Sequence, residues 1–239
     1  MFKIKQIFFS DFPFDVNGCD VLAFSGCKNK VRLNGFTCTP QATSIIDLTQ
    51  DLMEIWKNMS KSSCRYAINK AERDGVKIRI NQKYREFNQI NKSFRHAKEL
   101  WSIPKKLMDA FEKSGVLFVA EHGKQILAGQ IYLTDGHTIR LQIASRRLEA
   151  HANKTLIGNA NKLMIWEAIK YAKTLGMKEF DMSGILTGKD KDDPRMTITR
   201  FKLSFGGEIR TYFSYRKVYS KSYNLLQKTK RVIKVKKMI

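Results

Sequence analysis

The chain is short of acid. Its 239 residues include 22 Asp and Glu against 44 Lys and Arg, a formal charge of +22. No acidic residue follows Glu208, while Lys and Arg recur from Arg210 to Lys237. Long apolar runs are missing too, and none approaches the ~18 residues of a membrane-spanning helix. The opening Met1-Phe2-Lys3-Ile4-Lys5-Gln6-Ile7-Phe8-Phe9 has neither a long apolar core nor a small-residue cleavage site, which speaks against a secretion signal. Cys19, Cys27, Cys38 and Cys64 include no CxxC pair, which argues against a zinc knuckle or a dithiol redox motif, and they read best as reduced thiols in a cytoplasmic chain. His96, His122, His137 and His151 are scattered, with no i, i+4 pair, so no metal site is expected.

Hydrophobic residues make up 43% and aromatics 11%, enough for a core, which rules out a disordered polycation. The length fits one large domain or two small ones. An excess of +22 attracts polyanions: nucleic acid such as tRNA, an anionic membrane surface, or phosphorylated and nucleotide-linked small molecules. The inner membrane face is thus a place where a cytoplasmic chain of this charge could be held. The basic end, 224–239, also reads as a solvated tail.

Residues 1–50 read as short strands, among them Val21–Phe24 and Ser44–Leu48. A helix opened by Thr49 carries Leu52, Ile55 and Trp56. In a second, near Ser62–Asp74, Cys64, Ala67, Ile68 and Ala71 fall at i, i+3, i+4, i+7 and Gly75 gives the stop. Val76–Ile80 alternates as a strand does. Residues 86–114 read as helix interrupted at Pro104. An antiparallel meander follows: Val116–Ala120, Ile126–Leu133 and Thr138–Ala144, the last two joined at Asp135-Gly136. A long helix from about Asn159 to Leu175 and a strand Glu179–Met182 complete the series, before a polar segment at 186–197. Helix, meander, long helix, strand is an α+β layout. It resembles the order of elements in the GNAT acyltransferase fold, a mixed, mostly antiparallel sheet flanked by helices.

Two patterns narrow the resemblance. Arg65-Tyr66-Ala67-Ile68-Asn69-Lys70-Ala71-Glu72-Arg73-Asp74-Gly75-Val76 resembles the R-x-x-I-x-K-A-x-x-x-G-V segment of the Fem family, the aminoacyltransferases that build peptidoglycan cross-bridges. Leu163–Ile169, Leu175-Gly176, Phe180-Asp181-Met182-Ser183-Gly184, Phe201-Lys202 and Phe205-Gly206-Gly207 resemble, in order, that family's helix, its G…D-x-x-G strand and its F-K-x-x-F-G-G signature. The resemblance implies tandem GNAT-like halves: an abbreviated one at 1–85, a fuller acyltransferase domain at 86–223, and the basic tail at 224–239. It also implies a cytoplasmic cell-wall transferase that moves an aminoacyl group from aminoacyl-tRNA to an amine of a cell-envelope precursor, peptide or sugar, with no tightly bound cofactor and no metal.

Amine attack on an activated acyl carbonyl needs a neutral amine, a proton acceptor and a group that meets the developing oxyanion. No Ser-His-Asp or Cys-His triad is legible. Lys202 is marked by the resemblance and could hold a phosphate or the oxyanion; a solvated strand lysine is the plainer alternative. Asp181, at a strand end, could orient the amine or take its proton, or could only start a turn. Arg65 and Lys70 could bind an anionic substrate or form an exposed basic face. Phe201 and Tyr215 complete the substrate-binding candidates. Tyr212, Tyr215, Tyr219 and Tyr223, interleaved with Arg216, Lys217 and Lys221, could stack on nucleic acid or line a core. Phe205-Gly206-Gly207 reads as a turn or bulge that only glycine fits.

The donor is the second question. CoA-dependent GNAT enzymes cradle pyrophosphate in a Q/R-x-x-G-x-G/A loop at a helix start. Thr155-Leu156-Ile157-Gly158-Asn159-Ala160 keeps the small residues but has Thr155 where Gln or Arg is expected, with Lys154 adjacent. Lys154, Gly158, Asn159 and Ala160 are therefore the donor-phosphate candidates. Aminoacyl-tRNA is the donor favoured by the charge. The alternatives are an acyl-CoA-dependent N-acetyltransferase acting on an amino sugar, and a non-catalytic basic module that binds RNA or a membrane.

Overall fold

A computed structural model of the chain describes residues 2–148, 153–188, 193 and 195–225. Most of the basic end lies outside the described residues, as do His151 and much of the polar segment at 186–197. The chain forms two compact units, 1–43 with 210–239, and 44–209. This division differs from the expected boundary after residue 85. Residues 44–85 belong to the larger unit because their helices bury their apolar faces in its core, where Ile55, Cys64, Ile68 and Ala71 are all 1% exposed or less.

The larger unit contains α1 (Leu52–Asn58), a single π-helical turn (Lys61–Arg65) running into α2 (Tyr66–Arg73), β4 (Lys77–Ile80), α3 (Tyr84–Ala97) and α4 (Lys105–Ser114). The meander β5 (Gly115–His122), β6 (Gln125–Thr134) and β7 (Thr138–Arg146) follows, then α5 (Lys154–Thr174), β8 (Glu179–Ile185) and α6 (Arg195–Leu203). Its strands run β8-β7-β6-β5-β4, next to the end of β3 (Thr37–Asp47). The layout is the expected α+β one: β4 through β7 pair antiparallel, and β7 with β8 is parallel.

Alternation along the strands sorts side chains to two faces. Phe118, Ala120, Tyr132, Ile139, Phe180 and Met182 meet α5 residues in one core. Phe87 of α3 covers the opposite face, and so closely that a Cβ on Gly129 would stand 2.3 Å from its ring. At Asp135-Gly136 the expected turn forms, with Gly136 at φ +88° and the Asp135 carboxylate accepting from the His137 and Thr138 amides.

The smaller unit holds β1 (Ile4–Phe8), β2 (Val21–Cys27), the start of β3 and most of β9 (Glu208–Val218), in the order β1-β2-β9-β3. β1 and β2 are parallel, and β2 and β9 antiparallel. Its small core gathers Leu22, Phe24, Cys27 and Tyr215.

Candidate active site

The parallel ladder between β7 and β8 is short. Thr138, Ile139 and Arg140 pair with Glu179, Phe180 and Asp181, and there the register ends. β7 nevertheless runs on to Arg146 and β8 to Ile185. Two parallel strands that part in this way leave facing peptide groups without a ladder partner, in a gap where a substrate's own amide can pair.

Asp181 sits where the strands part. It is wholly buried, and its Oδ2 accepts from Arg140 Nε at 2.6 Å. Its Oδ1 accepts the Ser183 amide at 2.7 Å, fixing Ser183 in the left-handed region at φ +64°. A serine there is strained, and the carboxylate that holds it bends β8 just before Gly184. The expectation that Asp181 takes the amine's proton does not fit this geometry: both oxygens are engaged and the side chain has no exposed surface. Asp181 instead holds Arg140 on one oxygen and the Ser183 turn on the other.

Lys202 lies on α6 rather than on a strand, because the helix continues through Phe201. Thr199 and Lys202, three apart, share a helix face. Thr199 Oγ1 accepts from the Leu186 amide at 2.9 Å, and Lys202 Nζ donates to the Gly184 carbonyl at 2.7 Å. Burial pushes the Lys202 pKa down to about 8, and the field of Asp181 opposes that shift only in part. The ammonium thus stands at the open end of β8, with a backbone carbonyl as acceptor and a carboxylate nearby that already holds Arg140.

The glycines after Phe205 keep α6 close to α1 and β3. Gly206 has φ +78°, and a Cβ on it would meet the Asn58 carbonyl oxygen at 2.4 Å; one on Gly207 would meet Ser44 Oγ at 2.5 Å. This is the turn expected there.

The other candidates separate. Phe201 is half-buried against the core and edge-on to Phe205. Arg65 ends the π-helical turn, and its buried Nε finds no acceptor among the described residues. Lys70 instead pairs with Asp74 one turn on, as a surface cation does. Tyr215 belongs to the smaller unit, 1% exposed, its hydroxyl accepting from the Val31 amide at 2.7 Å and donating to the Asn29 carbonyl at 3.1 Å. That is a core role, not a substrate contact. Tyr212 and Tyr223 are also buried, so most of the tyrosine stripe lines a core.

The donor-phosphate candidates need correction. α5 starts at Lys154, not near Asn159, because the Asn153 side chain caps it by accepting the Leu156 amide at 2.9 Å. The Ile157 amide already bonds the Asn153 carbonyl, so the amides of Gly158, Asn159 and Ala160 lie inside the helix ladder and cannot cradle an anion. Lys154 alone remains at the helix start.

Two site residues escape a reading of the sequence. Arg140, the partner of Asp181, is a charge inside a strand that otherwise reads as buried, and that mismatch is its signal. Lys162 interrupts the apolar face of α5; its Nζ donates to the Ser63 carbonyl at 2.7 Å, lies 5.9 Å from the Phe201 ring centroid, and has its pKa lowered by burial. Cys64, near Lys162 and Arg65, is no nucleophile: burial pushes its thiol up to about 11.

Among the described residues no three His, Cys, Asp or Glu side chains gather as a metal site, and no helix is long and apolar enough to cross a membrane.

No curated protein matches the chain. Among solved structures it is similar to FemX, at 12% identity and TM-score 0.62, over 87% of this chain and 74% of that one. It is similar to L-PGS from Bacillus licheniformis at 13% and 0.57, over 88% and 72%. It is also similar to the C-terminal domain of a lysylphosphatidylglycerol synthetase of Agrobacterium fabrum at 12% and 0.57, over 89% and 72%. At such identities the likeness concerns the fold. The model of the acetyltransferase (GNAT) domain matches residues 60–194, more than half of the chain and the stretch that holds both parting strands. The chain is an acyltransferase and belongs to the GNAT acetyltransferase family.

Proposed function

We propose that this acyltransferase moves an aminoacyl group from aminoacyl-tRNA to an amine on a cell-envelope precursor, and that Lys202 is its catalytic residue. The amine nitrogen attacks the ester carbonyl carbon, the C–N bond forms, and the C–O bond to the tRNA ribose breaks. The proton lost by the amine ends on the leaving ribose oxygen. Lys202, as an ammonium, meets the carbonyl oxygen while it carries negative charge. A preorganised cation in a half-buried site is worth far more there than in water. Asp181 and Arg140 act through β8, setting the bend that presents Gly184 and with it Lys202.

The observation that carries the reading is the Lys202 ammonium on the Gly184 carbonyl, at the open end of the β7–β8 gap. The choice of donor rests on three supports: the +22 charge, the ordered run of Fem-like motifs, and a fold similar to that of FemX.

The test uses hydroxylamine as a small amine acceptor, offered with aminoacyl-tRNA or with acetyl-CoA. Hydroxamate from aminoacyl-tRNA alone, lost in Lys202→Met, is the expected result. Hydroxamate from acetyl-CoA alone replaces the reading with a CoA-dependent one.

A further inference from the structure

A cavity of about 450 Å³ opens in the larger unit between α3, the β5–β6 hairpin and the end of β7. That volume is within the usual range for small-molecule sites. None of Lys202, Asp181, Phe201 or Arg65 lines it.

Its lining is of two kinds. Ile90, Phe94, Ile126 and Leu148 supply apolar wall. Lys83, Lys124, Arg146 and Arg147 supply charge, against Glu86 and Glu121. Both carboxylates are engaged: Glu121 by Arg79 at 2.9 Å, and Glu86 by Lys83 at 3.4 Å. Arg147 Nε is held on the Ile126 carbonyl at 2.7 Å, which fixes that side chain in the wall. Neither Lys124 nor Arg146 meets a carboxylate among the described residues. The cavity therefore sets two cations, Lys124 and Arg146, that meet no carboxylate among the described residues beside an apolar wall.

The cavity also lies on the face of the sheet to which Asp181 points. Phe180 and Met182 join the α5 core, so Asp181, between them, points to the other side; Arg140 does the same between Ile139 and Leu141. Farther along β7, Ser145 donates to Asn91 of α3, on that same side. β7 bulges at Gln142, so Ile143 stands about two strand steps beyond Arg140, near the level of Ser183 and next to Gly184, the residue that holds Lys202. Arg146 is three residues farther on, roughly 10 Å along the strand.

We infer that this cavity binds a phosphate-bearing small molecule with an apolar part. A dianionic head suits several convergent cations better than a carboxylate does, and the apolar wall takes the adjoining carbon skeleton. If the acyl-transfer reading of the Lys202 site holds, this ligand is the acceptor, its anionic end anchored by Lys124 and Arg146 while its amine reaches the β7–β8 gap.

Calorimetric titration of the full chain with hexyl phosphate, hexanoate, inorganic phosphate and hexylamine tests the idea without relying on catalysis. Hexyl phosphate binds tightest, hexanoate and inorganic phosphate bind more weakly, and hexylamine does not bind. The Lys124→Gln/Arg146→Gln double variant weakens hexyl phosphate by about tenfold or more, the scale of losing a charge-assisted contact. Removing two cations elsewhere, in Lys105→Gln/Lys106→Gln on α4, leaves the affinity as it was, which separates the cavity from general attraction to a basic protein. Equal binding of hexylamine, or equal losses in the two double variants, overturns the proposal. Lys202→Met binds hexyl phosphate like the parent chain, so loss of transfer with intact binding counts against the catalytic reading alone, and transfer without binding counts against the cavity alone.

Discussion

Two lysines, one in each compact unit, differ in how fully their charge is met. Lys217, in the smaller unit, is surrounded by partners. Its Nζ meets both Asp15 oxygens at 2.7 and 2.9 Å, and lies 5.2 Å from the Phe36 ring centroid and 5.1 Å from that of Tyr219. Lys202, in the larger unit, has one carbonyl oxygen and a carboxylate bound elsewhere, and burial lowers its pKa to about 8. A cation with its counter-charge in place gains little by meeting a new anion. One held half-buried without that charge is poised for the negative oxygen of a transition state.

The largest effect is expected at Asp181. Asp181→Ala takes the carboxylate of a buried ion pair away from Arg140, for which about 3–5 kcal/mol of stability is the expected loss. Thermal or denaturant unfolding measures it, and a loss under about 1 kcal/mol would mean that the pair does not organise the gap. Next in size is Lys202→Met. Acyl transfer should fall by about 10²-fold or more, the scale of losing one oxyanion-stabilising group, with the melting temperature kept or raised because a poorly compensated buried charge is gone. Transfer within a few-fold of the parent chain would refute the catalytic role of Lys202.

Much of this molecule can be read in its sequence. The alternation in β4, the apolar runs of the meander with their Asp135-Gly136 turn, the apolar face of α2 and the glycine stop at Gly75 are local signals, and local signals survive folding. The Phe205-Gly206-Gly207 turn was legible for the same reason. The start of α5 was less so, because Gly158 and Ala160 suggest a loop end while one side-chain bond from Asn153 decides the boundary. The unit division was hidden, since 1–43 and 210–239 meet across most of the chain's length. Arg140 and Asp181 are 41 residues apart, so no local pattern exposes their pairing, and Asp181 alone reads equally well as a proton acceptor. Tyr215 was ambiguous because a tyrosine among cations looks the same whether its ring stacks on a base or fills a core.

Titration of Lys202 gives a smaller, pH-dependent effect. Hydroxylamine stays neutral through the alkaline range, so its own ionisation does not mask that of the enzyme. If the Lys202 ammonium is the working form, kcat/KM declines as pH rises through about 8. Lys202→Arg, which keeps its charge, moves the decline to higher pH. Stability runs the other way. Between about 8 and the ordinary lysine value near 10.4 the unfolded chain holds a proton that the folded chain has released, so this residue makes stability rise with pH across that window. Subtracting the Lys202→Met stability profile from that of the parent chain isolates the rise. A flat difference would mean that Lys202 titrates as an exposed lysine does, and its catalytic role would lose its physical basis.

The smallest effect is expected at Lys217, and it serves as the control. Lys217→Met removes the attraction that holds the Asp15 carboxyl below its usual range, leaving it the Tyr219 hydroxyl. Asp15 is exposed, so water takes over much of the lost interaction, and the loss of melting temperature should be smaller than that of Asp181→Ala and should shrink further in salt. Transfer should remain within about twofold of the parent chain, since Lys217 and its partners belong to the other compact unit. If Lys217→Met instead lowers transfer as far as Lys202→Met does, partner count does not distinguish the two lysines. Basic charge in general, and not one half-buried ammonium, would then carry the reaction.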